Sequence, residues 1–96
     1  MNFTHEQVCR VADLVGDPRA LGGAVTSELC GHWEHPGPCR WPHHTATAVH
    51  GRDAVVTVRF TAPEAEVGQV RQRVQAAVSR GQLVGPDGSR TTWTSA

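Results

Sequence analysis

The sequence predicts an α+β domain: an antiparallel sheet of three to five strands with two helices packed on one face, in the order α-β-β-β-α-β. Three observations carry this expectation. Val56, Val58 and Phe60 alternate with Thr57 and Arg59, the period of a half-buried strand. Val67, Val70, Val74, Ala77 and Val78 recur at helical spacing, opposed by Gln69, Arg71, Arg73 and Gln75. The turn-forming stretches "HGRD" and "GPDG" break the rest into short segments. At 96 residues the chain has room for one domain, residues 1–96, with a single modest core.

At the N-terminus, Thr4 with Gln7 forms a capping-box pattern, and Phe3 with Val8 supplies an apolar staple. Val8, Val11, Ala12 and Val15 then follow a helical stripe that Gly16 and Pro18 end, which predicts a first helix over residues 5 to 15. Cys9 falls beside that stripe and reads as a small packing residue. From Leu21 to His35 the chain has β character, with Gly22 and Gly23 bending it into a strand near Val25 to Trp33. "TATAVHGRDAVVTVRFT" reads as a β-hairpin. Thr61 with Glu64 is a second capping box, Pro63 suits a first turn, and Gly81 ends the second helix. The tail forms two short strands around "GPDG". The expected core is Val11, Val56, Val58, Phe60, Val70, Val74 and Val78.

Composition narrows the function classes. Nine basic residues balance nine acidic ones, and no basic run offers a nucleic-acid footprint. Every basic residue is Arg, and Ile and Tyr are absent, a bias of GC-rich codons that suggests a small bacterial protein. The opening "MNFTHEQVCRVADLV" lacks the basic-then-apolar pattern of a signal peptide, and no apolar run is long enough to span a membrane. A cytoplasmic setting with reduced thiols is the expectation, under which a structural disulfide is not anticipated.

The chemistry concentrates in "CGHWEHPGPCRWPHH", residues 30–44, which holds two of three cysteines, four of six histidines and two of three tryptophans. Read as a hairpin turning at Pro36, Gly37 and Pro38, it offers Cys30, His32, His35, Cys39, His43 and His44 as zinc ligands, enough for a Cys₂His₂ shell. The spacing is not that of a zinc knuckle, and adjacent His43 and His44 point to opposite sides of a strand, so at most one serves a given ion. A catalytic reading needs a nucleophile, a base and an orienting group. Cys39, His43 and either Glu34 or Glu28 are the one set available, with no local signature behind it.

The alternative is a metal-free interaction module acting as a homodimer, anchored by Trp33, Trp41 and Trp93 with Arg40 beside them. The two readings make opposite forecasts. A zinc site should yield near one zinc per chain on elemental analysis of chelator-free protein, and Cys39→Ser should abolish it and lower stability. A metal-free module should hold no zinc and melt at the same temperature with or without chelator.

Overall fold

The computed structural model describes residues 3–30 and 41–95. The elements run β1 (His5–Val15), α1 (Arg19–Cys30), β2 (His43–His50), β3 (Asp53–Phe60), a 3₁₀ turn (Glu64–Glu66), α2 (Val67–Ser79), β4 (Gln82–Val84) and β5 (Arg90–Ser95). One antiparallel sheet orders them β2-β3-β1-β5-β4. Because β1 and β2 both run antiparallel to β3, they are parallel to each other with β3 between them. Likewise β3 and β5 flank β1. Two β-α-β units therefore interleave, the split β-α-β arrangement, with β4 added as a hairpin arm on β5.

The α+β class stands, but its first two elements exchange types. Residues 5–15 form β1, not a helix. His5, Gln7, Cys9 and Val11 point towards the helices, while Val8 on the supposed helical stripe is 54% exposed. Three of those inward residues are not aliphatic, which hides the alternation. Gln7 does not cap a helix; its Nε2 donates to Arg71 O in α2 at 3.4 Å. The segment expected as a strand from Val25 begins inside α1 instead. Leu21, Ala24, Val25 and Leu29 are its buried stripe, spaced for a helix. Gly16 and Pro18 precede that helix instead of ending one: Asp17 Oδ1 accepts the Arg19 N–H at 2.9 Å, and Pro18 sits where its missing N–H costs nothing.

Two backbone features bend β1 into α1. Asp13 has φ of 52°, where the pairing register with β5 shifts between Ala12 and Val15, as at a bulge. Gly16 has φ of 118°, and a Cβ there would stand 2.6 Å from Thr91 Oγ1. Only glycine fits both demands.

The β2–β3 hairpin forms as expected, paired from His43↔Phe60 to His50↔Asp53. The capping box at Thr61 does not start α2: the helix begins at Val67, after the 3₁₀ turn, and its N-cap makes no side-chain bond. Gly81, with φ of 74°, stops it. All seven expected core residues are at most 2% exposed. Ala54, Val56, Val58 and Phe60 of β3 meet Val70, Val74, Ala77 and Val78 of α2 and the α1 stripe in one cluster. Among the described residues no helix is long and apolar enough to cross a membrane.

Val74 is wholly buried, so Val74→Ala should cost about 1 to 3 kcal/mol, read as a lower urea midpoint with unchanged slope.

Candidate functional site

Of the zinc candidates, Cys30, His43 and His44 belong to the described residues; His32, His35 and Cys39 lie outside them. Cys30 closes α1 and is disulfide-bonded, contrary to the expectation of reduced thiols. A sulfur so bonded has no thiolate to offer a metal. Cys9 is a free, buried thiol.

His43 starts β2 on the helix side of the sheet, and both its ring nitrogens are engaged. Nδ1 lies 3.0 Å from Trp41 O, and because a carbonyl only accepts, that nitrogen carries the proton. In the neutral ring Nε2 then accepts from the Thr26 hydroxyl at 3.2 Å. His44, the next residue, faces the opposite side and is exposed. Among the described residues no three His, Cys, Asp or Glu side chains gather as a metal site would require.

The catalytic set does not assemble around Glu28 either. Its carboxylate pairs with Arg80 at 2.7 Å and its backbone carbonyl accepts from Arg73 at 3.1 Å, turning it towards α2. Glu34 lies outside the described residues. Burial pushes the Cys9 thiol above its ordinary pKa, against a smaller opposing effect of a Gln7 hydrogen bond. That suits the expected packing role and not a nucleophile.

Two expected interface anchors are core. Trp41 is 1% exposed and Trp93 5%. Each indole N–H finds an internal acceptor: Trp41 Nε1 donates to Glu66 Oε1 at 2.9 Å, and Trp93 Nε1 to Val78 O at 2.7 Å. The Arg73 guanidinium lies 5.1 Å above the Trp41 ring. A buried indole needs a partner for its one polar atom, and here the fold supplies both. Trp33 and Arg40 lie outside the described residues.

Two surfaces went unread in the sequence. A cleft of about 510 Å³ opens between the start of α1 and the β4–β5 turn, lined by Asp17, Arg19, Asp87, Ser89 and Thr91 among others. Its polar groups are satisfied internally: Asp17 takes three side-chain contacts of 2.8–3.1 Å from Arg19, and Asp87 accepts from Ser89 N and Oγ. Hydrogen bonds from the Arg19 side chain, then its backbone, hold the Asp17 carboxyl below its ordinary pKa.

The second surface is the sheet face away from the helices. Residues paired across antiparallel strands share a face, so the pairings Ala46↔Thr57↔Val8 and Ala48↔Val55↔Arg10 lie on this side. Ala12↔Thr94, Val15↔Thr92↔Gln82 and Val84↔Arg90 continue it across β5 and β4. Of the four exposed large apolar side chains among the described residues, Val8, Val15 and Val84 stand on this face. The two aromatic residues in the strands besides histidine, Phe60 and Trp93, both point the other way. Glu6 and Arg59, cross-strand partners at the β1 start, form an ion pair at 3.2 Å.

No family model, curated protein or solved structure matches this chain.

The Asp17 carboxyl is lowered on folding, so its contribution is present above the unfolded pKa near 3.8 and is lost as pH falls through the folded value. A carbon-detected NMR titration should place the Asp17 midpoint below 3.8. Arg19→Ala should return it towards the ordinary value.

Proposed function

We propose that the chain is a protein-interaction module that self-associates through the open face of its sheet, forming a two-fold dimer. The observation carrying this reading is the exposure of Val8, Val15 and Val84 on a face that neither helix covers. Val55, Ala46, Ala48 and Ala12 join them. A solvated antiparallel face normally alternates to polar side chains. Here Ala46, Ala48, Val55, Val8 and Ala12 stand on it beside Thr57 and Arg10, with Glu6, Arg59 and Asp53 towards the strand ends.

The occupant is a second copy. Strands of 11, 8, 8, 3 and 6 residues, at about 3.3 Å per residue and about 4.8 Å between strands, give a footprint of about 570 Å². The corrugated accessible area is larger, which brings each protomer near the lower end of the range for specific interfaces, about 600 to 1,000 Å² per partner. A face carrying both Glu6 and Arg59 is also able to meet its own image, since an isologous contact pairs each group with a different residue of the same patch. Nucleic acid is the poorer occupant. A sheet that reads single strands does so with exposed aromatic rings, and here Phe60 and Trp93 are packed inwards.

Sedimentation should show a monomer–dimer equilibrium that shifts with concentration. Val8→Asp, at an exposed position that leaves the core untouched, should raise the dissociation constant at least about tenfold while circular dichroism and melting of the monomer stay unchanged. A wild-type chain that sediments as a monomer at every concentration would overturn the proposal.

A further inference from the structure

We propose a second docking site, adjoining the first: the unpaired half of β1 accepts an acidic, extended peptide as an added strand. Against β3, β1 is paired from His5 to Val11. Against β5 it is paired only at Val11, Ala12 and Val15. Among the described residues no strand lies along the other side of His5–Arg10, a stretch of six residues or about 20 Å. This open edge is not at the margin of the sheet, where β2 and β4 lie, but beside its central strand, next to α2. A strand entering there would run antiparallel to β1, in line with β5.

Three features give the gap a recognition character. It forms a cleft of about 260 Å³ lined by Gln7, Val8, Cys9, Arg10, Gln75 and Ser95. Gln7 donates to Arg71 O, but its Oε1, shielded from solvent, has no hydrogen-bond partner. A buried acceptor left alone is costly, and a Thr or Asn side chain on an incoming strand would supply the donor. Charge then sets the partner. Arg10 lines the cleft, and Arg71 donates to Glu6 O at 3.2 Å. Neither arginine pairs with a carboxylate among the described residues, and the nearby Glu6 carboxylate is held by Arg59. The edge therefore favours a strand with acidic residues near its ends and β-branched residues between. Strand addition draws affinity from main-chain hydrogen bonds and specificity from alternate side chains, which matches this division of labour.

The probe is the capped hexapeptide acetyl-Asp-Thr-Val-Thr-Val-Asp-amide, with Lys replacing both Asp as control. Titrated into full-length protein at millimolar concentration, the acidic peptide should shift the His5–Arg10 amide resonances saturably and slow their hydrogen exchange. The basic peptide should do neither. Arg10→Glu is exposed and leaves the core intact, and it should weaken the acidic peptide about tenfold because a favourable cross-strand charge pair becomes unfavourable. The same variant should gain affinity for the basic peptide. Unchanged β1 amides at saturating peptide, or equal binding of both peptides, would overturn the proposal. Because Arg10 also stands on the open face, both titrations are run at protein concentrations where sedimentation shows wild type and variant to be monomeric, which separates this outcome from the fate of the dimer.

Discussion

The pairing of β1 with β3 is the constraint on which the rest of the molecule depends. Seven consecutive residues of β1, His5 to Val11, lie in register with β3. That register puts Cys9 and Val11 on the same side as Val56 and Ala54, under the helices, and Val8 and Arg10 on the other. A slip of one residue would turn Val8 and Arg10 into the core and Val11 out to solvent. Arg10 has no partner there to compensate its desolvation, so the slipped state is strongly disfavoured. Once β1 is fixed, α1 must return over one face to reach β2, and α2 must return over the same face to reach β5. The open face follows from that connectivity.

How much of this was legible depended on whether inward positions were uniformly apolar. In β3 and α2 they are: Val56, Val58 and Phe60 on one, Val70, Val74 and Val78 on the other. A single period explains each, and both elements and the whole expected core were readable. In β1 the inward positions are His5, Gln7, Cys9 and Val11, while the valine at position 8 faces out. Apolarity therefore tracked a helical spacing that the backbone does not follow. In α1 the inverse holds. Gly22 and Gly23 weaken helix propensity by about 1 kcal/mol each, yet Ala20, Leu21, Ala24, Val25 and Leu29 all bury once the helix packs. Tertiary packing overrode local preference in both places. The "GDP" stretch at 16–18 illustrates the same point, since the residues expected to stop a helix lead into one instead.

The reading of residues 30–44 turned on composition, and composition does not say which way a side chain faces. His43 and His44 divide across the sheet as adjacent strand residues must. His43 is then tied to Thr26 and to the Trp41 carbonyl, joining α1 to the start of β2. Trp41, which looked like an interface anchor, fills the space between α2 and the sheet, held by Glu66 and capped by Arg73. A tryptophan in a domain of this size is a large fraction of its core volume, and the short side chains of α1 and β2 leave room for it. The cost of burying the indole N–H is offset where an acceptor waits, as Glu66 and the Val78 carbonyl do.

The two surfaces proposed for binding share an origin in what this small chain leaves uncovered. Two helices cover one face of the sheet and neither covers the other, where Val8, Val15 and Val84 are exposed. Strands of unequal length leave β1 extending past β5, so among the described residues part of a central strand has no strand partner on that side, its Glu6 carbonyl accepting from Arg71 instead. Larger domains answer the first with another layer and the second with longer strands or a covering loop. Here the surfaces adjoin at Val8 and Arg10, whose side chains stand on the bare face while their backbone borders the gap. The two demand different chemistry of an occupant. The face offers side chains, with Val8, Val15 and Val84 among charged and threonine neighbours, so shape and charge pattern decide what fits it. The edge offers main-chain groups flanked by arginine, so an extended acidic segment fits it better than the flat face of a second copy.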